Sequence, residues 1–341
     1  MNYKKAFVTG ANGFVGSHLV KYLADHEIDT IAFILKGTDY FLLKELNPSL
    51  KFVKIIEGDV LDKKSFEQYI QGMHYVFHLA GVLQGYTQED YDRINVKGTQ
   101  NILEVCSKSN PKLERLVISS SSAAAGTGTL EDPLKEEKEA QPLHRDYYGI
   151  SKHRMESLTK SYKDDLPITI VRPSSVLGPG NRLTLNMHKS VKYRFRLKLG
   201  GPYRPISVID VRDLVKGIYL CAVNPKAIGE TFYFANDEPV SYNELHDLVS
   251  QSVYNRKKGK LISILIPNFM FWLFAWLAEV IYKIRRKPAP FVNRSKVLAF
   301  LAEGQVISSE KAKTILGWQT TVELSSSIAE EGQWYIDQGL V

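Results

Sequence analysis

Between Val8 and Gly16 the chain reads Val-Thr-Gly-Ala-Asn-Gly-Phe-Val-Gly, which places glycines at positions 10, 13 and 16. Residues 4–9 form a short apolar, β-branched run that predicts a strand, and residues 14–26 carry a helical pattern. A strand that passes into a helix within so few residues needs a turn free of side chains. Gly10 permits that turn, Gly13 lets the backbone approach a pyrophosphate, and Gly16 lets the helix press on the strand. Amides at the start of the helix then face the phosphates. The feature predicts a dinucleotide site built on a parallel α/β sheet.

The same rhythm continues through the first half of the chain. Strands are predicted at 30–35, 51–56, 75–79, 115–119 and 168–172, with helices at 91–107 and 147–162. This alternation predicts a Rossmann-type, doubly wound parallel sheet, whose ligands bind at the carboxyl ends of its strands. With 341 residues the chain exceeds what one core usually holds. The dinucleotide-binding domain is therefore expected over 1–177, with 206–235 returning to it. Segments 178–205 and 236–341 are expected to form a smaller, mixed substrate-binding domain. The charged stretch 130–145 reads as a solvated loop that carries no chemistry.

Composition sets broad limits. At 44% hydrophobic and 24% charged residues, the chain is far from disordered or collagenous compositions. Its two cysteines, Cys106 and Cys221, fall in no metal-binding array, so neither a metal site nor a disulfide framework is expected. The first residues run directly into the glycine motif without an apolar leader, and a cytoplasmic location is expected. The excess charge is local: residues 251–300 hold ten Lys/Arg against the single acid Glu279, and residues 182–204 hold seven bases and no acid. A basic second part joined to an acidic body favours an anionic ligand or surface, or is a solvated basic face. No nucleic-acid-binding signature accompanies it.

Tyr148 and Lys152 stand four residues apart on a predicted helix, with phenol and ammonium on one face. A lysine cation beside the phenol favours its ionised form, which would bring Tyr148 closer to working as an acid and base near neutral pH. The preceding predicted strand ends in Ser119-Ser120-Ser121-Ser122.

The GxxGxxG spacing, the serine-ended strand and the Tyr-x-x-x-Lys pair together resemble the extended short-chain dehydrogenase/reductases, the NAD-dependent epimerase/dehydratase family. Gly58-Asp59-Val60, His78-Leu79-Ala80-Gly81, Asn95-Val96-Lys97-Gly98-Thr99, Arg172-Pro173 with Gly178-Pro179-Gly180, Val211-Arg212-Asp213 and Leu316-Gly317-Trp318 resemble later landmarks of that family. The resemblance implies a cofactor lining of Thr9, Gly10, Asn12, Gly13, Phe14, Val15 and Gly16 at the first turn. It adds Asp59 and Val60 at the adenine, Leu79, Ala80, Gly81 and Ser119 along the ribose, and Pro173 and Ser175 at the nicotinamide end. It implies that Ser121, with Ser122 as the alternative, orients the reacting oxygen, that Tyr148 moves the proton, and that Lys152 tunes Tyr148 and holds the ribose. Asn95 is implied in a proton relay that runs through its backbone and a water. The family's tyrosine within the serine stretch is replaced here by Ala125.

Lys36 follows the second predicted strand, where an acid would favour NAD, so NADP is expected; Asp39 keeps NAD open. Ser122-Ala123 lacks the carboxylate pair of the sugar dehydratases. The expected function is an oxidoreductase acting on a keto or hydroxy compound of anionic or lipophilic character, similar to the dihydroflavonol reductase and 3β-hydroxysteroid dehydrogenase groups. A nucleotide-sugar epimerase with tightly held NAD is the alternative, with Arg182, Arg194, Arg196 and Arg204 as candidate diphosphate ligands. A dinucleotide sensor without turnover would need neither Tyr148 nor Lys152. The uncharged run 261–278, interrupted by Pro267 and flanked by basic clusters, falls short of a membrane span. It reads either as a helix lying on anionic lipid or as a buried or homodimer-forming helix.

Overall fold

The computed structural model describes residues 3–199, 203–256, 261–290 and 293–341. Strands β1 (Lys5–Thr9), β2 (Asp29–Leu35), β3 (Val53–Gly58), β4 (Tyr75–His78), β5 (Arg115–Ser119) and β6 (Ile168–Pro173) follow one another through the first half. Shorter strands come after them: β7 (Ser175–Leu177), β8 (Phe195–Leu199), β9 (Pro205–Ile206), β10 (Val208–Asp210), β11 (Thr231–Phe234), β12 (Val240–Ser241) and β13 (Ile262–Ile266).

The main sheet has seven strands, all parallel, in the order β11-β6-β5-β4-β1-β2-β3. The chain steps outward from β1 through β2 to β3, then returns to β4 on the other side of β1. The order thus reverses between β1 and β4, and the strand ends there leave the crevice in which such sheets take their ligands. Both faces of the sheet are covered, which is why its strands read as nearly continuous apolar runs. Ala6 and Val8 pack on one face with Leu19, Leu23, Leu214, Ile218 and Trp318. Phe7 turns to the other face with Phe33, Leu103, Ile118 and Met155.

The predicted helix over 91–107 is divided. Gln88–Asp92 is α-helical, Arg93–Gly98 makes a wider π-type turn, and Thr99–Ser109 resumes the α-helix. Wide turns of this kind mark places where a side chain is re-aimed, and here the turn carries the buried Asn95. The stretch 130–145 also differs from its expectation as a solvated loop. Leu134 is buried and exchanges backbone hydrogen bonds with Val306 and Ser308, while the Glu136 carboxylate accepts the Tyr233 amide at 2.9 Å. A charged sequence pattern hid the one apolar residue that anchors it.

The helix Tyr147–Lys160 is fixed to the sheet by a buried ion pair. The Arg172 guanidinium on β6 donates to both Glu156 oxygens, at 2.8 and 2.6 Å, and to the Tyr233 hydroxyl on β11 at 2.8 Å. The Ser120 hydroxyl donates to the same carboxylate at 2.5 Å. Glu156 and Arg172 are 2% and 3% exposed, so removing either partner strands an uncompensated charge. Glu156→Ala is expected to lower the unfolding free energy by about 3–5 kcal/mol, read as an earlier midpoint in urea.

Candidate functional site

The turn after β1 owes its shape to missing side chains. A Cβ at Gly16 would stand 2.1 Å from the Gly10 carbonyl oxygen, and one at Gly10, whose φ is +65°, would stand 2.8 Å from the Ala80 amide nitrogen. The helix Phe14–Asp25 therefore starts directly against the strand ends. Its N-cap is Gly13, with no side-chain cap, which leaves its first amides to a ligand. Asn12 holds the rim, its Nδ2 donating to the Thr38 hydroxyl and the Asp39 carbonyl, both at 2.9 Å. An uncapped helix start in a glycine cradle fits the diphosphate of a dinucleotide.

Behind the turn a chain of hydrogen bonds locks adjacent elements. The Ala80 amide donates to the Thr9 hydroxyl at 3.1 Å, and that hydroxyl meets His78 Nδ1 at 2.8 Å. His78 Nε2 meets the Thr99 hydroxyl at 2.9 Å, which donates to the Asn95 carbonyl at 2.7 Å. With both hydroxyl protons so directed, the network assigns the imidazole proton to Nε2. Burial, aided by the Lys152 charge, pushes the His78 pKa down to about 3, so the ring stays neutral throughout the working range.

A cavity of about 650 Å³ opens over these strand ends. Gly10, Asn12, Gly13, Phe14, Val15 and Gly16 form its floor at one end, with Leu79, Gly81, Ser119, Ser121, Tyr148, Lys152, Pro173 and Ser175 along its length. Fourteen of the sequence-derived site residues are thus brought together. Thr9 and Ala80 stand behind the lining, in the network just described. Asp59 and Val60 lie beyond it: the Asp59 carboxylate accepts the Leu61 amide at 2.9 Å, and Val60 is buried beneath Gly98. Lys36 is exposed at the end of β2, whereas Asp39 reaches the lining.

Asn95 does not reach the cavity either. It is fully buried, its Oδ1 accepting the Val82 amide at 2.8 Å and its Nδ2 donating to the Ser151 hydroxyl at 2.9 Å. A Cβ on Gly81 would come within 3.0 Å of its Oδ1 and 3.4 Å of Lys152 Nζ, so Asn95 supports the segment that walls the site.

Around the phenol, charge differs from the simple expectation. Ser121 hydrogen-bonds the Tyr148 phenol, and Lys152 Nζ donates to the Ser119 carbonyl at 2.8 Å. Burial, reinforced by Asp146 and Tyr91, nevertheless pushes the Tyr148 pKa up to about 12. Lys152 is itself brought down to about 8 by burial, against the opposing charge of Glu156. Desolvation of the ring dominates, opposed by the Ser121 hydrogen bond, while Lys152 directs its Nζ to the Ser119 carbonyl.

A second cation was missed by sequence reasoning. Lys296 Nζ lies 4.9 Å from the centre of the Tyr148 ring and lines the same cavity. Burial lowers its pKa to about 8, with Asp146 opposing. It comes from the helix Arg294–Leu301, where Ala299 and Phe300, three and four positions on, also line the cavity. That spacing was the available signal: a lysine on the apolar face of a helix within a segment otherwise read as a basic surface. Tyr242, Leu183 and Trp334 also line the cavity.

Other landmarks hold the scaffold. The Asp213 carboxylate accepts the Thr321 hydroxyl at 2.6 Å and the Thr321 and Val322 amides at 3.0 Å, while its carbonyl accepts Trp318 Nε1 at 2.9 Å. Ala125, where the resemblance has a tyrosine, is buried in a small apolar cluster with Leu134 and Tyr233.

The sequence model of the NAD dependent epimerase/dehydratase family matches residues 6–233. The chain belongs to that family. It is accordingly an enzyme of the nicotinamide-dependent oxidoreductases and epimerases. The 3beta-hydroxysteroid-dehydrogenase/decarboxylase isoform 2 of Arabidopsis thaliana is 28% identical over 349 residues, covering 94% of this chain and 60% of the plant protein. The decarboxylating sterol-4-alpha-carboxylate 3-dehydrogenase of Candida albicans is 24% identical, covering 97% of each chain. The 2-alkyl-3-oxoalkanoate reductase of Shewanella oneidensis is 26% identical, covering 95% of this chain and 84% of that protein. Among solved structures, the UDP-glucuronic acid 4-epimerase of Bacillus cereus with UDP-glucuronic acid and NAD superposes at a TM-score of 0.74, with 21% identity over 98% of this chain and 99% of the epimerase. An epimerase from Methanothermobacter thermautotrophicus gives 0.78 at 20% identity, over 99% of this chain and 94% of that one. At such identities the likeness shows the fold alone.

Proposed function

We propose that this enzyme is an NADP-preferring dehydrogenase or reductase of a 3-hydroxy or 3-oxo carboxylic acid with a large apolar body. One observation carries the reading: a single cavity joins the glycine turn, the Ser121–Tyr148–Lys152 cluster and the half-buried Lys296. Two of the relatives named above, the sterol-4-alpha-carboxylate 3-dehydrogenase and the 2-alkyl-3-oxoalkanoate reductase, act by their names on a hydroxyl or ketone beside a carbon that bears a carboxyl group, and the third is named a hydroxysteroid dehydrogenase/decarboxylase. A lysine beside the phenol supplies the counter-charge that such a carboxylate requires.

In this reading residues 1–177 and 206–235 hold the dinucleotide, with the amides after Gly13 on its diphosphate and Lys152 near its ribose. Segments 178–205 and 236–341 hold the substrate, through Leu183, Tyr242, Lys296 and Phe300. When bound, the nicotinamide supplies or accepts a hydride at its C4. Ser121 orients the substrate oxygen. Tyr148 exchanges a proton with that oxygen, its phenol kept protonated by burial and so ready to donate during reduction. Lys296 fixes the carboxylate and thereby which carbon faces the cofactor. Lys36, exposed at the end of β2, supports NADP through its charge, although Asp39 on the lining competes for NAD.

Nucleotide-sugar epimerisation has weaker support. Of the four arginines considered for a diphosphate, Arg182 lines the cavity. Arg196 is engaged with Asp247 at 3.0 Å and Ser263 at 2.7 Å, Arg204 donates to the Leu301 carbonyl at 3.3 Å, and Arg194 is exposed in a turn.

Tyr148→Phe should bind dinucleotide normally and lose about 10²–10⁴-fold in kcat; near-normal turnover would remove Tyr148 from the chemistry. Lys296→Met should raise KM for a 3-oxo acid roughly 10–100-fold, the worth of a charge-assisted hydrogen bond, and leave the methyl ester unaffected. Because Lys296 is cationic below about pH 8 and neutral above, KM for the acid should climb as pH passes that value in the wild type. The ester and the Met variant should lack this added climb, any change from Lys152, also brought to about 8, being common to acid and ester. Equal pH profiles for acid and ester would exclude the contact. Lys36→Asp should shift the NADP-to-NAD ratio of kcat/KM toward NAD; an unchanged ratio removes the argument from Lys36.

A further inference from the structure

The run 261–278 folds neither as a buried helix nor as a span. β13 ends at Ile266, Pro267 turns the chain, and Asn268–Ile284 forms a helix of 17 residues. At about 1.5 Å per residue its length is near 25 Å, short of a bilayer's hydrocarbon core of roughly 30 Å. No helix among the described residues is long and apolar enough to cross a membrane.

Its amphipathic pattern is inverted. Phe269, Trp272, Leu273, Trp276, Leu277, Val280, Ile281 and Ile284 recur at helical spacing on one face, and every one is exposed, Phe269 by 71% and Ile284 by 76%. The opposite face carries Ala275, 2% exposed, Phe271 with its ring centre 5.9 Å from that of Phe300, and Glu279. Glu279 is bonded to the Arg294 backbone and guanidinium, at 2.6 and 2.9 Å, so the helix's single acid is turned inward and neutralised. At its carboxyl end Lys283, Arg285, Arg286 and Lys287 are all exposed. Lys257, Lys258 and Lys260, which complete the basic flank seen in the sequence, lie outside the described residues.

We propose that this helix is an in-plane membrane anchor, with its aromatic face in the acyl-headgroup boundary and its cationic end on anionic lipid headgroups. A continuous apolar face this large on a protein surface marks an interaction site. The charge selects the occupant: an anionic bilayer meets the apolar stripe and the four cations together. A second copy docked helix to helix would set its own four cations against these.

The anchor also touches the catalytic cleft. Phe271 packs on Phe300, which lines the cavity, and the Tyr86 hydroxyl donates to the Lys287 carbonyl at 2.8 Å, near Val82 and Leu83 of the same lining. Docking therefore brings the cleft beside the bilayer, where a lipophilic acid would be held.

The test is co-sedimentation of the full chain with phosphatidylcholine vesicles containing about 30% phosphatidylserine, against pure phosphatidylcholine, at low and high salt. Binding to the anionic vesicles at low salt, weakened by salt, is expected, together with quenching of tryptophan fluorescence by brominated lipid. Replacing Lys283, Arg285, Arg286 and Lys287 by Gln should lower vesicle partitioning at least about tenfold, each cation near the surface being worth roughly fivefold. The variant Phe269→Ser/Trp272→Ser/Trp276→Ser should lose both binding and quenching while dinucleotide binding persists, which shows that the fold is kept. Absence of binding to anionic vesicles at low salt overturns the proposal, as does concentration-dependent dimerisation that shields Trp272 and Trp276 without any vesicle binding. Neither result bears on the chemistry at Tyr148, which is read separately with a soluble substrate.

Discussion

The first turn of the helix Phe14–Asp25 lies so close to the end of β1 that only a hydrogen fits between them. A methyl at Gly16 would overlap the Gly10 carbonyl, and one at Gly10 would overlap the backbone of Ala80, just past the end of neighbouring β4. This contact brings three things to one point: the uncapped amides of a helix, the end of β1 and the end of β4. The crevice follows from that approach, because the sheet order reverses there and no crossover covers the strand tips. Thr9, His78, Thr99 and Asn95 hold the arrangement from behind through neutral hydrogen bonds that do not titrate in the working range. Such a fully satisfied polar chain specifies one register of the strand ends, where an apolar filling would tolerate several.

Much of this was legible because it is local. The glycine turn, the alternating strands and the Tyr148–Lys152 pair each lie within one element or one connection, so spacing alone reveals them. Strand β5 was expected over the residues it occupies, and the others shift by one or two positions at their ends. Asn95 shows what such reading leaves open: its place in the sequence is recognisable, but that its side chain binds Val82 and Ser151 is visible only in the fold. Lys296 lay further out of reach. It meets Tyr148 across nearly 150 residues of chain, and no periodicity links the two. For Tyr148 the sequence names the neighbouring charge but not how far the ring is withdrawn from solvent, which is what raises its pKa in the fold.

Charge and hydropathy in the second part of the chain gain meaning once placed. The basic excess noted in the sequence divides into residues with distinct surroundings: Arg196 bonded to Asp247, Lys296 inside the cleft, and an exposed cluster at the end of an apolar-faced helix. Of these three the last is exposed, as are Lys189, Lys192, Arg194 and Lys198 from the other basic segment. Hydropathy could not separate a buried helix from an exposed one, because both are apolar; the inward turn of Glu279 toward Arg294 decides which face is which. The cleft and the exposed apolar helix thus share one neighbour, the helix Arg294–Leu301, whose Phe300 packs on Phe271 and lines the cavity with Lys296.

The most direct test of the account is isotopic. With reduced dinucleotide deuterated at C4 and a long-chain 3-oxo acid, the enzyme should yield the 3-hydroxy acid carrying one deuterium on the carbinol carbon, with matching consumption of cofactor. Dinucleotide that binds tightly but transfers no deuterium to this or any other ketone, or a sugar nucleotide that is inverted without net cofactor consumption, would contradict it.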